Sequence, residues 1–371
     1  MNKRVCIIAP VHHYQDIRVY QKEAKTLSQN GYTVLLIARC DHDKIENDIQ
    51  IINIKYKTRI QRFLLIPYIY YKAIKTKADF YHLHNPDTII IGFLLKLMGR
   101  TVIYDTHEDF KKKILIRYWI PGFLKRITAM FITFLERVAG LLFDAIIVTQ
   151  KSVGHRISKK ALVLTNAPIK NGELFENAYQ FSEGIVDQPC KRLIYVGGIS
   201  SARGLKTMVQ SMANLNLEYS TRLWLIGPFE NNLECEKIQE IEGWEYVDYL
   251  GILPQSEAFA YMIRSDIGLV LLEDVADYSQ TSANKIYEYQ CFGLPFIASN
   301  FSKWVNELKK INSGLFVDAS NVLEVSKKIL YLLKHQDIAI EMGRNGKSYI
   351  QNEFNWENES TKLIQLYKDL V

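Results

Sequence analysis

Four short segments carry residue types that chemistry uses. Tyr195-Val196-Gly197-Gly198, followed by Arg203-Gly204-Leu205, reads as a strand, a glycine turn and a helix start. Glycines let backbone approach a phosphate, a helix start offers free N–H groups, and Arg203 adds a fork-shaped cation. An ordinary glycine turn beside a surface arginine has the same pattern. In the second segment, Gln280 to Tyr289, Thr281 or Ser282 is placed to cap a helix running to Cys291. Asn284 and Lys285 then stand in its first turn. The helix dipole disfavours a lysine there, and an anionic ligand would offset that. Glu288 follows one turn on from Asn284 and suits ribose hydroxyls; a surface helix with one salt bridge is the plainer reading. In the third, Tyr104-Asp105-Thr106-His107-Glu108-Asp109, His107 ends a strand and is placed either to touch a substrate or to bond its neighbours. The fourth is His12 to Arg18, the loop after the first strand, where His13, with Glu108 of the third segment, is a further candidate to touch a substrate. Asp16 reads as a helix cap as readily as a reacting group, and Arg18 as reaching an anion or solvent.

Alternating apolar runs and amphipathic stretches must position these residues. Strands are expected near 5–9, 33–37, 80–82, 102–104 and 145–148, and helices near 17–29, 88–98 and 121–139. The strand runs are continuously apolar, as strands buried on both faces should be. The pattern restarts at Lys191 and continues through strands near 223–226, 267–271 and 295–298. The fold class is therefore α/β, with two doubly wound units in tandem. The expected division is 1–182, 183–355 and a last helix, 356–371, with the join near the polar stretch 182–189. Ligands of such sheets bind outside the carboxyl ends of the strands, so the four segments should line a cleft.

Composition narrows the class. The chain has 371 residues, 48% apolar and 23% charged, a globular balance. No signal peptide is evident, and no run of about 20 residues lacks charge, as a spanning helix requires. Five scattered cysteines form no CxxC pair, so reduced thiols and no zinc site are expected. Residues 1–180 hold 28 Lys+Arg against 15 Asp+Glu; the remainder holds 18 against 25. The basic half points to an anionic partner. Its cations lie among aliphatic and aromatic residues: Lys55, Lys57, Arg59, Arg62, Lys72, Lys75 and Lys77 around 63–71, and Lys111–Lys113, Arg117, Lys125 and Arg126 around Tyr118, Trp119 and Phe123. That mixture suits an anionic membrane surface better than nucleic acid. The expected location is cytoplasmic, at the inner face of the cell membrane.

Taken together, Asp16…Arg18, Tyr-Asp-x-His-Glu at 104–108, Gly197-Gly198…Arg203-Gly204 and Asn284-Lys285-x-x-Glu288-Tyr289…Gly293-Leu294-Pro295 resemble the glycosyltransferase family 4 enzymes of GT-B fold. The resemblance implies retaining, metal-independent transfer from a nucleotide-diphosphate sugar, with a UDP-sugar favoured over a GDP-sugar and no further cofactor. It implies that Arg203 grips the diphosphate with Lys285 in support, and that Glu288 binds ribose. Gly197, Gly198, Ser282, Ala283, Asn284 and Lys285 would line phosphate and sugar, and His107 would stand beside the donor sugar. The first Glu of the family's Glu-x7-Glu motif falls on Gln280, and a second basic clamp residue falls on Gly198. The one Asp-x-Asp triplet, Asp41-His42-Asp43, reads as a solvated loop. The family further implies a saccharide or lipid-linked acceptor in bacterial surface polysaccharide assembly. An inactive nucleotide-sugar-binding subunit and a sugar-nucleotide epimerase of the same fold are the rival readings.

Overall fold

The structure, a computed structural model, describes residues 2–116, 120–275, 278–282 and 284–371. The chain forms two compact units, residues 1–166 with 356–371, and residues 167–355. The join expected at 182/183 is thereby corrected to 166/167. The helix Glu173–Glu183 packs within the second unit, because Phe175 and Ala178 are buried there and Phe175 stacks on Phe292 and meets Phe259 at a tilt.

The first unit is built on a sheet of order β3-β4-β2-β1-β5-β6-β7-β8. Its strands are β1 (Arg4–His13), β2 (Thr33–Arg39), β3 (Lys44–Glu46), β4 (Ile49–Asn53), β5 (Phe80–His84), β6 (Thr101–Thr106), β7 (Ala145–Val148) and β8 (Leu162–Val163). Only the short edge pair β3–β4 is antiparallel. Val5 to Ala9 and Val102 to Tyr104 are fully buried, as two-sided burial demands. After β1 the chain enters a π-helix, Ile17–Ala24, which tightens into an α-helix over Lys25–Gln29. Asp16 caps it, accepting from Arg18 N at 2.9 Å and Val19 N at 3.0 Å. Gly31, at φ +86°, then turns the chain into β2. The last helix, Trp356–Asp369, belongs to this unit. Trp356 Nε1 donates to Thr26 Oγ1 at 2.9 Å, and the Tyr367 hydroxyl lies 2.8 Å from His82 Nδ1.

The second unit carries the sheet β11-β10-β9-β12-β13-β14, parallel throughout. Its strands are β9 (Lys191–Val196), β10 (Thr221–Ile226), β11 (Val247–Gly251), β12 (Ile267–Val270), β13 (Phe296–Ser299) and β14 (Gly314–Val317). Leu193, Tyr195, Leu225 and Leu269 pack on one face with Met208 and Met212 of the helix Leu205–Asn216. Ile194, Trp224 and Phe296 pack on the other with Tyr289 and Trp304.

Candidate active site

In the second unit the carboxyl end of β9 meets that of β12. Gly197 leaves β9 at φ +150°, and the Tyr195 hydroxyl donates to Gly198 O at 2.7 Å, fixing the turn. A short turn over Ser201–Arg203 leads to Gly204 at φ +77°. A Cβ on Gly204 would stand 2.1 Å from Leu271 O, so only glycine brings the following helix this close to the end of β12. Glu273 N donates to Ala202 O at 2.9 Å and ties the two strand ends together. Arg203 emerges there, 31% exposed. Its Nε donates to Glu230 Oε1 at 3.1 Å, and its guanidinium lies 5.3 Å from the Tyr278 ring centre. A Cβ on Gly198 would meet the same Glu230 oxygen at 3.1 Å, so this carboxylate stands in front of the glycine turn.

The helix carrying Lys285 and Glu288 spans Asn284–Cys291, later than the cap expected at Thr281 or Ser282. Thr281 Oγ1 instead donates back to Tyr278 O at 3.1 Å, and Trp304 Nε1 holds Thr281 O at 2.8 Å. Asn284 N donates to Ser282 O at 3.0 Å, and both side chains face solvent. Ala283 lies outside the described residues. Lys285 Nζ donates to Glu288 Oε2 at 2.6 Å, the salt bridge of the plainer reading. Gln280 borders a separate cavity of about 460 Å³ with Ser299, Asn300 and Lys303, which neither Arg203 nor Glu288 lines.

The first unit places His107 directly after β6, its carbonyl accepting from Thr149 Oγ1 at 3.0 Å. Its ring meets that of His12 at 5.3 Å, and its Nδ1 is buried without a hydrogen-bond partner among the described residues. Burial and then the Arg18 charge push His107 down to about 4, so the ring is neutral at pH 7. His12 Nδ1 bonds Asp16 Oδ2 at 2.9 Å. Burial opposes the Asp16 charge, but His12 and the Val19 amide hold it well below the usual carboxylate range. Asp16 is thus both cap and partner of His12. His13 sits exposed at the end of β1, its ring 4.6 Å from Tyr14. Glu108 pairs with Lys113. Asp43 of the Asp-x-Asp triplet accepts from Asn53 N at 2.7 Å in an exposed turn.

Arg18 corrects the reading that it faces an anion or solvent. It is 5% exposed, donating to Asp105 Oδ2 at 2.7 Å with its Nε 3.1 Å from Glu23 Oε1. His84 Nε2 lies 3.0 Å from the other Glu23 oxygen, and the His82 and His84 rings stack at 4.8 Å. Burial pushes both imidazoles down to about 4. Burial and the neighbouring Asp105 raise Glu23, while Arg18 holds Asp105 ionised against its burial. Glu23, His82 and His84 lie within 4.8 Å of one another, a donor set of metal-ligand type. However, Arg18 already supplies the positive charge between the carboxylates, and lone pairs of nearly parallel stacked rings do not converge on one point. Both Glu23 oxygens, both His84 nitrogens and His82 Nε2 are buried without a hydrogen-bond partner among the described residues, and His84 and Asp105 form a second such group with His107.

Two family models match the chain: Glycosyltransferase Family 4 over residues 18–163, and Glycosyl transferases group 1 over residues 190–335. The chain belongs to the group 1, family 4 glycosyltransferases. A relative, the capsular polysaccharide biosynthesis glycosyltransferase CapM of Staphylococcus aureus, is 20% identical over 251 residues. That match spans 64% of each chain, so less than two thirds of the relative's length is covered. Among solved structures, the sucrose-phosphate synthase of Thermosynechococcus elongatus aligns with a TM-score of 0.77 at 18% identity, over 100% of this chain and 99% of that one. Anabaena HepE, solved in complex with UDP, aligns with a TM-score of 0.72 at 10% identity, over 99% and 100%. These likenesses show the GT-B fold. Within this family-4 chain, sequence reasoning missed Glu23, His82, His84, Glu230 and Tyr278, and named Asp105 only as part of the 104–108 motif. His82 and His84 had one signal, a spacing of two that puts both on one strand face.

Proposed function

We propose that the chain is a retaining glycosyltransferase. It moves a sugar from a nucleotide-diphosphate sugar, a UDP-sugar by preference, to a lipid-linked saccharide in bacterial surface polysaccharide assembly. The observation that carries this is Arg203, a partly exposed guanidinium standing over a glycine turn at the end of β9 beside Tyr278. The UDP in the HepE structure supports the donor class. Cleaving a sugar–diphosphate bond develops positive charge on the anomeric carbon and negative charge on the phosphate. Arg203, Lys285 and the Gly198 amide would stabilise the departing phosphate, and each well-placed donor of this kind is worth ~3 kcal/mol. The leaving phosphate itself would take the acceptor proton, and the neutral His107 would stand beside the sugar as a hydrogen-bonding group. No resident metal is assigned a part in this reading.

The first unit supports a membrane-associated acceptor. Helix Gly122–Leu142 exposes Phe123, Ile127, Met130, Phe131 and Phe134, with Lys125 and Arg126 beside them. Phe63, Leu64, Tyr68 and Tyr71 are exposed near Lys72 and Lys75. Among the described residues no helix is long and apolar enough to cross a membrane. Tyr118 and Trp119 of the basic-aromatic cluster lie outside the described residues. The reading is peripheral docking at the inner membrane face. Turnover of UDP-sugars with bacterial lipid extract, followed as UDP release, tests the reaction. Arg203→Ala should lower the rate about 100- to 1,000-fold, as loss of one oxyanion donor does; wild-type turnover in that variant would reject the assignment.

A further inference from the structure

Asn85, directly after β5, burdens the fold of the first unit in two ways. Its backbone stands at φ +69° and ψ 151°. Only glycine adopts that combination freely, because a Cβ there clashes with the backbone. Asn312 shows the contrast: at φ +53° and ψ 50° it lies in the ordinary left-handed region that asparagine tolerates. The surroundings of Asn85 enforce the strain. Pro86 follows and favours an extended ψ at the residue before it. The Asn85 carbonyl accepts from Thr88 N at 3.2 Å and from Thr88 Oγ1 at 2.8 Å. The second burden is polar. Asn85 is 6% exposed, and its Nδ2 is buried without a hydrogen-bond partner among the described residues. A glycine here would relieve both.

The surroundings of the amide give the strain a use. β1, β5 and β6 are neighbours in the sheet, and His12, Asn85 and His107 stand at their carboxyl ends. The rings of His12 and His107 meet at 5.3 Å. Burial opposes a charge on His12, while Asp16, Glu108 and the Asn85 amide favour it, so the amide lies against that ring. Even so, His12 Nε2 closes no hydrogen bond to it, and His107 Nδ1 is unpartnered as well. Three buried, unpartnered nitrogens therefore stand at adjacent strand ends, the side of a parallel sheet where ligands bind. An amide nitrogen donates, and an imidazole nitrogen donates or accepts, so the set matches a ligand whose groups do both. Sugar hydroxyls do, whereas a phosphate mainly accepts. The cations assigned to phosphate, Arg203 and Lys285, belong to the second unit.

We infer that Asn85 binds the transferred sugar, its Nδ2 donating to a ring hydroxyl beside His107, and that the strained backbone is kept for this contact. This rests on the glycosyltransferase reading, in which the sugar stands at His107, and adds to it a residue that selects the sugar. A site built to bond a hydroxyl rejects a sugar that lacks it there, since the buried donor is then left unpaired.

Two substitutions separate strain from contact. Asn85→Gly removes both, and Asn85→Ala removes the amide but keeps the strain. In thermal unfolding Asn85→Gly should melt about 2 to 4 °C or more above wild type, and Asn85→Ala no higher than wild type. Calorimetric titration with UDP, UDP-glucose, UDP-galactose and UDP-N-acetylglucosamine reads the contact. UDP should bind both variants as it binds wild type. The UDP-sugar that wild type binds most tightly should bind each variant about 3- to 10-fold more weakly, the worth of one neutral hydrogen bond. Its lead over the other two should shrink by a similar factor; an unchanged lead would overturn the selecting role. An Asn85→Gly chain that melts below wild type would show that the fold itself needs the asparagine, and would overturn the inference. Equal losses for UDP and UDP-sugar would overturn the sugar contact. A wild type that binds none of the four ligands sinks the donor reading, and the inference with it. UDP-sugar affinity undiminished in both variants sinks the inference alone.

Discussion

Two arginines, Arg18 and Arg203, follow β1 of the first sheet and β9 of the second, yet they do opposite things. Arg18 is buried, its guanidinium spent on Asp105 and Glu23. Arg203 is part exposed, and its partner Glu230 is 49% exposed. A buried pair that loses one member leaves a bare charge in low dielectric, whereas an exposed pair is screened and exchanges partners at small cost. Charge and position after a strand therefore do not identify a ligand-binding arginine. The exposure of its present partner does. Lys285 differs from Arg203 in this respect, since its partner Glu288, three residues on in the same helix, is only 15% exposed.

That contrast can be broken by experiment. Arg18→Ala strands Asp105 and should destabilise the fold by about 3–5 kcal/mol, read by denaturant unfolding. Arg203→Ala should change stability by less than about 0.5 kcal/mol, as surface substitutions do. Equal losses would erase the distinction. The imidazoles buried around Arg18 give a second test. His82, His84 and His107 are held down to about 4, so the unfolded chain binds more protons than the folded one between that value and about 6.5. The stability they contribute is complete above about pH 6.5 and is lost as pH falls toward 4. Glu23 and His12, both raised, pull the opposite way but are two groups against three. Melting temperature should therefore drop through this window, and His84→Gln should flatten the slope. An unchanged slope would remove His84 from the account. The smallest effect concerns the exposed pair. Glu230→Gln removes the carboxylate from Arg203 and should tighten UDP about two- to five-fold, the range of an exposed ion pair. Weaker binding would show that Glu230 orients Arg203 and does not compete for it.

The two regions were not equally legible. The second unit follows local rules: an apolar strand, glycines where backbones touch, a cation at the helix start. All of these occur within a few residues of one another. The first unit's network joins β1, β5, β6 and a π-helix. Arg18 and Glu23 are five apart, a pairing that α-helical spacing turns to different faces but the wider π turn brings to 3.1 Å. His82 and His84 sit within a strand run and read as core. The edge strand β3 is too short and polar to show an apolar run, whereas β4 buries Ile49, Ile51 and Ile52 and carried a readable apolar signal that was missed. The domain join was misplaced because the polar stretch 182–189 looks like a linker. The true crossing, around Pro168 and Gly172, precedes a helix that buries Phe175 and Ala178.

The central claim is that the turn at Gly197–Gly204 and Arg203 hold a diphosphate. Titrating UDP and UMP into the wild type and into Arg203→Ala isolates it, because the two ligands differ only in the outer phosphate. The account predicts that UDP loses about 10-fold or more in the variant, the worth of one charge-assisted contact, while UMP changes little. Equal affinities of UDP for the two proteins would contradict it.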